Sequence, residues 1–298
     1  MEYMCSDCPR KCGVLRRADA PSGICRSPAL PSVSRAAPHF GEEPCISGTR
    51  GSGTIFFTGC NLRCVFCQNH EISHGEGGKR VGVQELRDIM LRLRDQGVHN
   101  INLVTPTHFS RVIREALDGL ELGIPVVWNS SGYESVETLR SLEGLVQIYM
   151  PDFKYAKSSP AAKYSAAGDY PAAAAAAIRE MYRQTGPYVL DSEGIMRSGV
   201  LIRHLILPGQ ELNAMDVIDF VAESFPEDSV LFSLMCQYTP MPGLEDFPEL
   251  LGRVGAETNE LLCGYMRKCG IVSGYWQEPE SATDEMIPDF DLTGVERS

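Results

Sequence analysis

The chain has 298 residues, 43% of them hydrophobic and 22% charged, enough apolar material for one large domain or two small ones. That balance excludes disorder or collagen-like repetition for the bulk of the chain. Lys and Arg total 27 against 39 Asp and Glu, a net charge of −12 with no basic cluster, which argues against nucleic-acid binding. The start, Met1 to Cys5, has neither the basic nor the apolar region of a secretory signal, and no apolar run reaches the ~18 residues of a membrane span. The expectation is a soluble, cytoplasmic chain with no membrane partner. Its 11 cysteines stand out, because thiols clustered in the cytosol more often bind metal or do redox chemistry than form disulfides.

Residues 1–50 read as an irregular, Cys-rich metal-binding extension. They carry Pro9, Pro21, Pro28, Pro31, Pro38 and Pro44 with little apolar periodicity. Cys5-x2-Cys8-x3-Cys12, followed by Cys25, suits a four-thiolate site holding either zinc or an auxiliary iron–sulfur cluster. Cys45, Cys236, Cys263 and Cys269 read as small buried hydrophobes.

Residues 51–275 alternate short β-rich runs with helical stretches. Strands are predicted at Thr54 to Thr58, Asn100 to Val104, Pro125 to Trp128, Val146 to Tyr149, Val200 to Leu207 and Ser229 to Met235. Between and after them the helical pattern recurs at Val83 to Gln96, His108 to Gly119, Glu134 to Ser141, Pro171 to Gln184, Ala214 to Phe225 and Pro248 to Lys268. Parallel strands need such crossovers, so the fold class is α/β, a partial (β/α)6 barrel. The Ala-rich stretch Ala161 to Ala177 reads as helix beginning near Pro171. Residues 276–298 form an acidic C-terminal segment, read as solvated surface or a docked terminus.

The strongest chemical signal follows the first strand: Gly59-Cys60-Asn61-Leu62-Arg63-Cys64-Val65-Phe66-Cys67-Gln68-Asn69. Three thiolates on one tight loop can hold three irons of a cubane and leave the fourth iron open for chemistry. A structural zinc site would need a fourth ligand, for which His70 or His74 is available. The loop stands at the C-terminal mouth of the predicted barrel, where active sites concentrate.

This C-x3-C-x2-C spacing, with the aromatic Phe66 just before the last Cys, resembles the signature of the radical S-adenosylmethionine (SAM) superfamily. Asp152-Phe153-Lys154, the segment from Arg203 to Gly209, Thr105-Pro106-Thr107-His108 and Asn129-Ser130-Ser131-Gly132-Tyr133 extend the likeness to proteins similar to the pyruvate formate-lyase activating enzyme. The resemblance implies a [4Fe-4S] cluster on Cys60, Cys64 and Cys67, and reductive cleavage of SAM to a 5′-deoxyadenosyl radical that abstracts hydrogen from a substrate.

It also implies roles around the rim. Phe66 and Asn69 flank the cluster. Thr105 and Thr107 stand where such proteins carry a Gly-Gly-Glu segment toward the SAM amine, with Thr107 equally readable as a helix cap. His108 is placed on SAM or substrate. Asn129, Ser130, Met150 and Asp152 are expected near the SAM carboxylate, in a pocket that holds a monovalent cation in the resembled activases, and Lys154 is a partner for a carboxylate. Period-two alternation sends Arg203 and His204 to opposite faces, with Arg203 favoured inward toward an anion or a structural acid. Gln237 and Tyr238 are the expected substrate-facing pair.

Three readings of function follow. The first is hydrogen abstraction from a small-molecule substrate. The second is activation of a partner enzyme by installing a glycyl radical on a peptide loop, and the third is a non-catalytic iron–sulfur electron-transfer or metal-binding module. A ferredoxin or flavodoxin as electron donor is implied by the resemblance.

Overall fold

The computed structural model describes residues 2–75, 77–277 and 288–296, so much of the acidic segment, 278–287 and 297–298, lies outside the described residues. The strands in chain order are β1 (Tyr3–Met4), β2 (Leu15–Arg16), β3 (Ser32–His39), β4 (Ser52–Phe57), β5 (Lys79–Arg80) and β6 (Ile101–Val104). They continue as β7 (Val126–Ser130), β8 (Ile148–Pro151), β9 (Val189–Leu190), β10 (Met196–Leu205), β11 (Leu231–Met235) and β12 (Gly274–Trp276).

One sheet of 10 strands dominates, in the order β12-β11-β10-β8-β7-β6-β4-β3-β5, with β9 hairpinned onto β10. From β4 through β12 along this path every pairing is parallel, and the sheet curls without closing. All six predicted strands are present. Their near-continuous apolar runs follow from burial on both faces, one by helices and the other by the barrel interior.

Among the elements that periodicity did not announce, three shape the sheet and its helical layer. β3 runs antiparallel beside β4. β12 extends the far edge beside β11. A helix at Ser158–Ser165 precedes the Ala-rich helix Tyr170–Thr185, which starts as its Pro171 suggests and buries Ala174 and Ala177. Through β3, residues 32–39 of the Cys-rich extension join the same sheet as β4.

Residues 288–296 dock back on this edge. The Ala36 amide donates to the Thr293 carbonyl at 2.9 Å, the Leu292 amide to the Ser34 carbonyl at 3.0 Å, and Val295 is 1% exposed. Inside the barrel the floor is apolar: Cys45, Ile46, Val127, Ile148, Met150, Leu201 and Leu231 pack as one cluster. Polar side chains gather above that plug, at the C-terminal ends of the strands.

Candidate active site

The six residues of β4 are fully buried, so the strand delivers its C-terminal end rigidly to the barrel mouth. Gly59 then turns the chain at φ +88°, and a Cβ there would lie 2.3 Å from Ser27 Oγ and 2.7 Å from the Cys25 carbonyl. Only glycine allows that turn against the extension. The loop beyond it brings Cys60, Cys64, Phe66, Cys67 and Asn69 to one cavity of about 220 Å³.

Each sulfur of the trio receives a hydrogen bond. The Leu62 amide donates to Cys60 Sγ at 3.4 Å, Ser165 Oγ to Cys64 Sγ at 2.9 Å, and Ser73 Oγ to Cys67 Sγ at 3.3 Å. Burial first, and then the neighbouring Cys64, pushes the Cys60 thiol up to about 12, and Cys67 rises for the same reasons. Thiols in this state are inert until a metal deprotonates them, so the hydrogen bonds aimed at sulfur fit bound thiolates. Among the described residues no three Cys, His, Asp or Glu side chains converge to hold a single ion. A polynuclear cluster, with a separate iron for each thiolate, tolerates that wider spread, and mononuclear zinc does not. His70 and His74, the available completing ligands, instead stack on each other at 4.3 Å.

Opposite the trio, Arg203 ties three elements together. Its Nε donates to Asp152 Oδ1 at 3.0 Å, Nη1 to Glu42 Oε2 at 2.8 Å and Nη2 to Asn129 Oδ1 at 2.8 Å. Lys154 Nζ donates to Asp152 Oδ2 at 2.6 Å. Burial alone would raise the Asp152 carboxyl, yet Lys154 and Arg203 hold it below the usual carboxylate range. For Lys154 burial is again overcome, by Asp152 and then by Cys64, so the ammonium stays charged. Thr105 lines the same cavity at φ +59°, a strained backbone for a β-branched residue, while its amide donates to the Asn129 carbonyl at 2.8 Å. Ser130 stands beside Asn129 on the cavity wall.

Five expected residues stand elsewhere. His204 faces away from Arg203, as alternation requires, and its Nδ1 hydrogen-bonds the Phe153 carbonyl at 2.7 Å. Met150 points into the apolar plug. Thr107 donates to the buried Glu134 carboxyl at 2.6 Å and makes no helix-cap bond. His108 Nε2 meets the Thr58 carbonyl at 2.9 Å and so fastens the root of the cluster loop from behind. Tyr238 is 1% exposed and donates to the Leu250 carbonyl at 2.7 Å; Gln237 is the member of that pair that reaches the cavity. The expected monovalent cation finds the oxygens of Asp152 and the Asn129 Oδ1 already committed to Lys154 and Arg203.

Glu42 was not legible in the sequence. It enters from the loop after β3, and its Oε1 accepts from Asn102 at 3.1 Å and Asn129 at 3.0 Å. His39, Met235 and Pro288 also border the cavity. No local pattern marks Glu42, since its partners are 60 to 161 residues away.

The N-terminal cysteines lie directly behind the cluster loop. Cys5, Cys8 and Cys25 are buried and Cys12 is half-buried. Arg10, between Cys8 and Cys12, donates to the carbonyls of Asn61 at 2.9 Å, Leu62 at 3.4 Å and Ser165 at 2.9 Å, and to that of Ala166.

A parallel, open α/β barrel with a three-thiol loop at its mouth defines a class, and the comparisons with known proteins give it a family. Residues 54–158 match the sequence profile of the radical SAM superfamily, and the chain belongs to that superfamily, whose members are generally enzymes and which implies a [4Fe-4S] cluster and SAM. An uncharacterized protein of Methanocaldococcus jannaschii is 30% identical over 266 residues, 86% of this chain and 72% of the relative. SuiB of Streptococcus suis, solved bound to the precursor peptide SuiA, is similar in fold, with a TM-score of 0.52, 13% identity and coverage of 77% of this chain and 49% of that one. A second SuiB structure gives a TM-score of 0.51 at 13% identity, over 74% and 47% of the two chains. This chain therefore spans about half the length of those solved proteins. No helix of the described residues is long and apolar enough to cross a membrane.

Proposed function

We propose that this chain is a radical SAM enzyme in which Cys60, Cys64 and Cys67 hold the [4Fe-4S] cluster, SAM lies across the adjacent strand ends, and the substrate is a small molecule. The observation that supports this most is the single cavity that joins the three thiols to Asn129, Asp152, Lys154 and Arg203. When bound, the cluster and SAM supply a 5′-deoxyadenosyl radical that removes a hydrogen atom from the substrate. The remaining work belongs to the chain. Ser165, Ser73 and the Leu62 amide favour thiolate at the three sulfurs, and Phe66 keeps water from the cluster side. The charged Lys154 is placed to meet a carboxylate, and Ser130 and Thr105 offer hydroxyls to an ammonium. Gln237 and Met235, at the end of β11, face substrate.

The small-molecule reading rests on what flanks the cavity. Glu42 reaches across from the extension to Arg203, and Pro288 borders the opening from the C-terminal segment. Both line the cavity that a peptide loop would have to enter. A peptide substrate, as bound by SuiB, and a glycyl-radical partner are the rival outcomes.

Anaerobic reconstitution, reduction and addition of SAM are expected to yield 5′-deoxyadenosine and methionine, with Cys60→Ala, Cys64→Ala and Cys67→Ala each reduced to background. A chain that assembles the cluster and never cleaves SAM overturns the enzymatic reading in favour of an electron-transfer module. Stimulation of 5′-deoxyadenosine formation by the ultrafiltrate of a native extract supports the small molecule. Stimulation by the retained protein fraction alone supports a peptide or partner enzyme.

A further inference from the structure

We propose that Cys5, Cys8, Cys12 and Cys25 hold a second iron–sulfur cluster, and that Arg16 is the buried cation balancing its charge. This goes beyond the catalytic reading and does not depend on it.

Arg16 is the observation that points to an anion. It is 1% exposed, although a guanidinium cannot shed its charge in a protein. Its Nη1 donates to the carbonyls of Ser27 at 2.9 Å and Pro28 at 3.1 Å, and its Nη2 donates to Cys25 Sγ at 2.7 Å. Asp7, a buried acid of the same segment, is instead paired with Arg111 at 2.9 Å and accepts from Cys5 Sγ at 3.8 Å. Two carbonyls and a neutral thiol do not compensate a buried cation, whose desolvation costs several kcal/mol. Thiolates do, and buried thiolates persist when a metal holds them.

Cys12 and Cys25 lie on either side of one space, and Cys25 stands against that guanidinium. Gly23 lies at φ +72°, and a Cβ there would sit 3.2 Å from Cys12 Sγ and 4.0 Å from Cys25 Sγ. A side chain at 23 would fill the space between those sulfurs, so glycine keeps it open. Cys5 and Cys8 are buried in the hairpin that carries Arg16, where the Cys5 amide donates to the Val14 carbonyl at 2.9 Å and the Gly13 amide to the Cys5 carbonyl at 3.1 Å.

Four thiolates around a [4Fe-4S]²⁺ core leave a net charge of about −2, the same as around one Zn²⁺, so charge does not choose between them. Spread does. Among the described residues no three Cys, His, Asp or Glu side chains converge to hold one ion, a convergence that mononuclear zinc needs and a cubane with a separate iron for each thiolate does not.

The test uses the full chain, purified anaerobically. Wild type is expected to carry about eight irons and the triple variant Cys60→Ala, Cys64→Ala, Cys67→Ala about four, with a reducible EPR signal remaining, because each cubane holds four irons. A folded triple variant with no iron, or one holding a single zinc, overturns the proposal. Arg16→Gln is expected to lower the midpoint potential of the remaining cluster, since removing a positive charge favours the oxidised form. Arg16→Lys keeps the charge and is expected to keep both iron and potential. An unchanged potential in folded Arg16→Gln, or loss of iron from folded Arg16→Lys, removes Arg16 from the charge-balancing role.

Discussion

Arg203 and its neighbour show how much one position decides in this barrel. Arg203 holds Asp152, Glu42 and Asn129 together inside the mouth. Replacing it with Met leaves Glu42 without its cation and Asp152 with Lys154 alone, and breaking a buried pair in this way costs about 3–5 kcal/mol. Arg203→Met is therefore expected to lower the urea midpoint strongly; a midpoint within error of wild type would show that the network contributes nothing to stability. His204, one residue on, lies on the opposite face, and burial lowers its imidazole from 6.5 to about 4. The unfolded chain takes up this proton first, so the stability is fully present above pH 6.5 and is lost as pH falls toward 4. That single group accounts for up to ~3 kcal/mol across the window. His204→Gln is expected to flatten the fall of Tm between those pH values, and an unchanged profile would assign the acid sensitivity to other groups.

At the scale of the element, the cluster loop is held from both sides. His108 bonds the Thr58 carbonyl, Gly59 leaves no room for a Cβ against the Cys25 carbonyl, and Arg10 grips the carbonyls of Asn61 and Leu62. Gly59→Ala meets backbone at 2.7 Å in a left-handed conformation, so the loop must move. The expected outcome is reduced iron content at the catalytic trio with the secondary structure intact by circular dichroism, and full iron loading would show that the contact is slack. Elements of this kind divide by legibility. The cluster loop was readable because the sequence spacing of three thiols is itself the chemical requirement. The role of His108 was not, since a histidine after a strand reads equally as ligand, base or structural pin until its Nε2 partner is known.

Across the whole molecule, chain ends wrap the open edge of the sheet. β3 pairs with β4, residues 292–293 pair with Ser34 and Ala36, and Phe290 packs edge-on against Phe56 at 5.5 Å, beside the cavity. Val295→Asp puts a charge into a site that is 1% exposed and is expected to release this segment. Hydrogen exchange at the Ala36 and Leu292 amides reads the release, and retained protection would show docking without Val295. The six core strands were legible because burial on both faces imposes long apolar runs. β3, with Arg35 and Pro38 inside it, and β12, with three residues, lack that pattern; partners distant in sequence make them strands. By itself the sequence determined the α/β alternation, the thiol trio and the separation of Arg203 from His204, because these depend on local spacing and period. Only the tertiary structure brought Glu42 to Arg203, turned Tyr238 into the wall and set the N-terminal cysteines against the cluster loop. Those placements come from contacts between distant segments, whose free energy has no local signature in the chain.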